Sequence, residues 1–229
     1  MNIIRQTAAI AAALIVVPAG LVLMPGRRRA NAVRRAGTVL FVSAACCLAA
    51  DEPPAMFGGT PSRNMVSPES EAATSWDVDA GTNIKWRVKL GSQTYAGPAV
   101  YDGLVYVGTN NEGNLREGIV GDKGVIMAFD AESGELVWQA THDKLPAGRV
   151  NDWPLQGICS TPYVEGDRAY YLSNRAQVVA VDTKGFSNGN DGFSDEQYKG
   201  DKDADILWTY DLIGELDVFP HNLAASSPL

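Results

Sequence analysis

"AFDAESGELVW", residues 128–138, holds an apolar pair closed by Asp130, a polar turn ending in Gly134, and a short run closed by Trp138. Asp accepts N–H bonds from the residues just after it, and Gly supplies the conformation that closes a tight turn. The stretch therefore predicts one strand ending, a turn, and a second strand beginning. It is also repeated: "VIMAFDAESGELVW" (125–138) aligns with "QVVAVDTKGF" (177–186), which continues after a polar insertion as "ADILWTYDL" (204–212). In both copies an apolar strand ends in Ala-x-Asp and the next strand carries Trp138 or Trp208.

A second pair of repeats precedes the first. "YAGPAVYDGLVYVGT" (95–109) and "GICSTPYVEGDRAYYLS" (157–173) each place a small residue before Pro, a few apolar positions, a Gly-containing turn and an aromatic-rich alternating run. Asp102-Gly103 is a strong hairpin signal, and Glu165-Gly166-Asp167 takes the corresponding place. Pro98, Pro162 and Pro228 recur at intervals of 64 and 66 residues, and Trp138 and Trp208 are 70 apart. Each unit thus contains four short antiparallel strands, and units of this kind repeated at a fixed period predict the blades of an all-β propeller. The blades are expected at about 95–140 and 157–212, with a third beginning near 222. Trp86 in "NIKWRVKL" has the look of a last strand without its predecessors.

Residues 1–50 read as a targeting segment, residues 51–83 as a lead-in, and residues 84–229 as an incomplete propeller. Arg27 to Arg35 form a basic block, Thr38 to Ala45 an apolar run, and Cys46 to Ala50 a small-residue region, which together have a signal-peptide layout. The earlier apolar run Ala8 to Met24 has two readings: a membrane span near the lower length limit, or residues upstream of a start at Met24. The expected destination is periplasmic or secreted, with any membrane contact through the N-terminal segment. The formal charge is -8, but the six basic residues of the first fifty conceal 13 basic against 27 acidic groups in the rest. That acidic surface excludes nucleic acid as the natural partner.

The Ala-x-Asp-x-x-x-Gly-x-x-x-Trp pattern of residues 128–138 resembles the repeat of quinoprotein-type (pyrroloquinoline-quinone-like, PQQ-like) β-propellers. That group includes quinoprotein alcohol dehydrogenases and a propeller lipoprotein of outer-membrane barrel assembly. "MFGGTPSRNMVSPE" (56–69) resembles the lead-in of its secreted members. The resemblance implies a ring of four to eight blades, so the chain is expected to be the front part of a longer product with two uncapped apolar faces. It also implies two functions, a binding or assembly scaffold or an alcohol or sugar oxidoreductase using pyrroloquinoline quinone with calcium. Neither a catalytic nor a metal-binding residue carries over: the vicinal Cys46-Cys47 pair lies in the targeting segment, and the remaining family positions have no match here.

Trp86, Trp138 and Trp208 are expected to fill wedges between blades, and Trp76 to be core. Asp152 and Trp153 in "NDWPLQG", and His221 and Asn222 in "VFPHNLAASSP", fall on connections between blades, where a protein or small-molecule ligand meets a propeller. These four are the ligand-face candidates. His142 is expected to be exposed. The Asp- and Gly-rich insertion 185–205 fails the EF-hand register and is expected to be a solvated loop. Neither a Gly-x-Ser-x-Gly elbow, a phosphate loop nor a dinucleotide fingerprint occurs.

Overall fold

The computed structural model describes residues 52–67, 70, 72–113, 115, 116 and 118–229. Residues 1–50, expected from the sequence to be a targeting segment, lie outside the described residues together with Cys46 and Cys47. Two four-stranded antiparallel sheets make up the fold, each running in chain order from inner to outer strand. The first contains β1 (Ala99–Tyr101), β2 (Leu104–Asn110), β3 (Lys123–Asp130) and β4 (Leu136–Asp143). The second contains β5 (Tyr163–Glu165), β6 (Arg168–Leu172), β7 (Gln177–Asp182) and β8 (Ile206–Asp211), followed by a short helix α1 (Leu212–Leu216). This is the all-β, blade-type arrangement that the repeats predict.

Turn chemistry sets the registers. Asp102 and Gly103 both take positive φ, which pairs Tyr101 with Leu104 across a two-residue hairpin. Gly166-Asp167 closes the corresponding two-residue hairpin between Glu165 and Arg168, with positive φ at Gly166 alone. At the other turn, Asp130 Oδ1 accepts from the N–H groups of Glu132 and Ser133. Each third–fourth strand pair then shifts register at the same repeat position, Ala128/Phe129 and Ala180/Val181.

The main core lies between the sheets. Tyr106, Ile126, Ala128, Trp138 and Ala140 of the first meet Val164, Ala169, Tyr171, Val179 and Val181 of the second. Trp138 is 1% exposed, stacks obliquely on Tyr106 with centroids 5.9 Å apart, and donates its Nε1–H to Thr183 O at 2.8 Å. The joint has a counterpart. Trp86 Nε1–H donates to Ala131 O at 3.0 Å, and Ala131 follows Asp130 as Thr183 follows Asp182. A Cβ on Gly134 would lie 2.8 Å from Trp86 ring carbons, and one on Gly185 3.1 Å from Trp138 Cδ1. Each indole thus rests on the glycine of the next sheet's Asp turn.

Several expectations need correction. Residues 84–90 form no strand ladder; they lie as an extended segment whose Val88 and Leu90 cover Val107, Val125, Met127 and Phe129. The outer face of the first sheet is therefore covered by the chain itself. Trp76 is 69% exposed because the 77–82 turn holds it away from both sheets. Trp208 packs on Tyr170 at 6.0 Å but remains 39% exposed, without a following turn to receive its N–H among the described residues. The insertion is solvated only in part. Gln139 N–H donates to Lys202 O and Ala204 N–H to Gln139 O, so the insertion's end adds to the free edge of β4. Asp203, Ala204 and Asp205 are buried there, and Arg116 forms an ion pair with Asp203.

Candidate functional site

The ends of the sheets opposite the Asp turns carry the connections 111–122, 144–162, 173–176 and 212–229, and all four sequence candidates lie in this loop cluster. Trp153 N–H donates to Asn222 O, and Asn222 N–H donates to Val150 O at 2.8 Å, so the connection between the sheets and the segment that follows the second sheet are tied by main chain. Asn151 Nδ2 donates to Pro220 O at 2.7 Å beside them. Trp153 is half-buried under the Arg149 guanidinium, 4.5 Å from its ring centroid, while His221 is exposed.

Asp152 is placed differently, at 1% exposure. Its Oδ2 accepts from Leu145 N–H at 2.9 Å and Asn174 Nδ2 at 2.8 Å, and Lys144 Nζ pairs with Oδ1. Lys144 also donates to Trp153 O at 2.9 Å and lies 3.9 Å from Asp122 Oδ2. A side chain buried in this way and bonded to the main chain fixes the loop rather than facing solvent. Asp122 accepts from Leu155 N–H at 2.7 Å, and Leu155 O takes a bond from Asn110 Nδ2. Leu155 is held at φ 61° by these two contacts, a conformation that costs a non-glycine residue of the order of 1–2 kcal/mol. The strain is compatible with a pre-set binding surface.

Lys144, Asp122, Asn110 and Asn174 were not singled out from the sequence. The signal was nonetheless present. Asn110 and Asn174 are 64 residues apart, the period of the inner hairpins; Asn110 ends β2, Asn174 lies two residues beyond β6, and each anchors the preceding segment. The repeats as aligned, 95–109 and 157–173, stop one residue before them.

Groups that could perform chemistry are otherwise engaged. His142 is buried, against expectation, because β4 continues through Asp143 and turns the ring toward the second sheet. Its Nε2 shares a 2.8 Å hydrogen bond with Tyr171 OH. Burial, with help from Arg175, pushes the imidazole down to about 4, so it is neutral at physiological pH. Burial also pushes the Tyr171 phenol and the Cys159 thiol up, which keeps both protonated and unreactive. Among the described residues no three His, Cys, Asp or Glu side chains converge to hold a metal ion. The described residues therefore do not assemble the donor set that the calcium of a quinone site needs. Among the described residues no helix is long and apolar enough to cross a membrane.

Four-stranded sheets joined by Trp-to-turn contacts, with loops gathered at the far end, define a PQQ-like β-propeller repeat protein. A family model described as "Outer membrane protein assembly factor BamB" matches residues 55–185, more than half of the chain. The chain belongs to this PQQ-like, BamB-type family. No curated protein matches it.

Proposed function

We propose that the chain is an extracytoplasmic scaffold that docks a protein partner on the loop cluster around Trp153, Phe219 and Asn222. One observation carries the reading: apolar side chains are exposed on a backbone that is already locked. Val150, Val218 and Phe219 are 65%, 49% and 59% exposed, and they border the bonds that join Val150 and Trp153 to Asn222 and Asn151 to Pro220. Adjacent exposed apolar groups are the usual mark of a protein-interaction surface, and a pre-ordered loop pays little conformational entropy on binding. None of the four candidates lines the nearby cleft of about 470 Å³, which runs along Gln156, Thr161, Leu223 and Ala225 to Ser227. An open surface suits a macromolecule better than a small substrate. The family's description as an outer-membrane assembly factor supports a partner in the cell envelope.

The test compares full-length protein with a Phe219→Asp variant in its native envelope, using site-directed cross-linking at Val150. Cross-links to an outer-membrane assembly component, lost in the variant, are expected. Unchanged cross-linking in the variant, or dye reduction by purified protein loaded with pyrroloquinoline quinone and calcium, would overturn the scaffold reading.

A further inference from the structure

The free edge of β4 has a gap at Thr141. Residues two apart in a strand direct their main-chain groups to the same side. Gln139, Thr141 and Asp143 therefore present theirs outward from the sheet. Gln139 is taken by Lys202 and Ala204 of the insertion. The carbonyl of Asp143 is taken by Asn174 Nδ2 at 3.1 Å and Arg175 Nη1 at 3.3 Å. Between them, the N–H and C=O of Thr141 meet no partner among the described residues.

Instead they border a cavity of about 310 Å³ between the sheets and the insertion, at the lower end of the size range for ligand sites. Arg175, Gln177, Glu196 and Tyr198 also line it. Arg175 keeps N–H groups beyond its two main-chain bonds, and the Gln177 side chain makes no hydrogen bond among the described residues. Gln139, 4% exposed, lines the cavity too, and its Oε1 has no partner. The lining thus mixes donors and acceptors around an unpaired donor and acceptor that belong to one residue.

We propose that this cavity binds a saccharide unit through a vicinal diol, one hydroxyl accepting from Thr141 N–H and its neighbour donating to Thr141 C=O. In an extended residue these two groups lie side by side and point the same way, and adjacent hydroxyls supply the complementary acceptor and donor. An extended peptide is a poor occupant, because the insertion and the Arg175 side chain block the strand edge on either side. A simple anion would satisfy the N–H and Arg175 but would meet the Thr141 carbonyl with another acceptor. Further hydroxyls reach Gln177 and Glu196, and Tyr198 offers an apolar ring face. This site lies apart from the loop cluster, so it neither requires nor tests the docking of a protein there.

The test is titration of the isotope-labelled full chain with methyl β-glucoside, followed by amide NMR, with cyclohexanol as a ring-shaped control carrying a single hydroxyl. The Thr141 amide proton is expected to shift saturably, with a Kd of the order of 1 mM for so few contacts. Thr141→Pro removes the outward N–H at an edge position where proline is tolerated, and is expected to weaken binding at least tenfold. Thr141→Val keeps both main-chain groups but removes the hydroxyl, whose Oγ1 is buried without a partner, so loss of glucoside binding in this variant would assign the contact to the side chain and overturn the main-chain proposal. Cyclohexanol binding equal to that of the glucoside, or a Thr141 amide unmoved at the highest glucoside concentration, overturns the proposal and leaves the gap to water.

Discussion

Replacing Trp138 by Phe tests the joint between the sheets. The change removes the indole N–H that meets Thr183 O at 2.8 Å and leaves that carbonyl unpaired beside a residue that is 1% exposed. An orphaned buried acceptor costs about 1–3 kcal/mol. The smaller ring also leaves space against Tyr106 and Gly185, for about 1 kcal/mol more. The joint loss is about 2–4 kcal/mol, a large part of the 5–15 kcal/mol that is typical of a folded domain. Trp208→Phe makes the same chemical change at the equivalent position of the second sheet. There the ring is 39% exposed and its N–H has no acceptor among the described residues, so the cost is expected within about 0.5 kcal/mol of zero. Urea unfolding followed by far-UV circular dichroism measures both, since the m-value reports whether the same surface is exposed. Equal losses for the two variants would refute the claim that the hydrogen-bonded indole joins the sheets.

Gly134→Ala places a Cβ 2.8 Å from the Trp86 ring at φ 74°, and should cost about 2 kcal/mol or more in the same assay. His142 gives a pH signature. Its folded-state value, about 4, lies below the ordinary histidine value of 6.5, so the unfolded chain binds more protons between them. Stability should fall as pH drops through that window, by about 3 kcal/mol in total, and His142→Gln should flatten the curve. The difference between the two proteins is the informative quantity, because burial of Asp205 raises its carboxyl and acts in the opposite direction. Arg116→Ala strands the buried Asp203 carboxylate, so about 3 kcal/mol of destabilisation is expected, with faster proteolysis within 190–202 before the sheets unfold.

The blades were legible because their signals are local. A two-residue hairpin needs positive φ, which Asp102-Gly103 announces, and an Asp turn needs an acceptor and a glycine, which Asp130 and Gly134 provide. The Trp positions followed from the same repeat, although the sequence did not distinguish a ring that meets its receptor, Trp138, from one that does not, Trp208. Long-range contacts were less legible. Nothing local marks Lys202 and Ala204 as edge partners of Gln139, because that pairing depends on where the second sheet places its insertion. His142 read as a residue beyond the strand because the Trp motif ended at 138, whereas β4 runs five residues further. In the loop cluster Trp153 and Asn222 stood out by their type, while Asp122 and Lys144 gain meaning only beside Asp152.

The two ends of each sheet are therefore under different constraints. At the Asp-turn end, a tryptophan from one sheet is fitted to a carbonyl and a glycine of the next, with a Cβ excluded on steric grounds. That contact fixes how neighbouring sheets are placed and tolerates little change. At the opposite end, an asparagine at the end of each second strand or just beyond it ties down the preceding connection through its side chain, as Asn174 does with Asp143 O and Asp152. A tie of that kind specifies where a loop begins but not what its exposed residues are. Trp153, Phe219 and His221 can then vary without disturbing the joint that holds the sheets together, which is the separation a repeat scaffold needs to carry a specific partner surface.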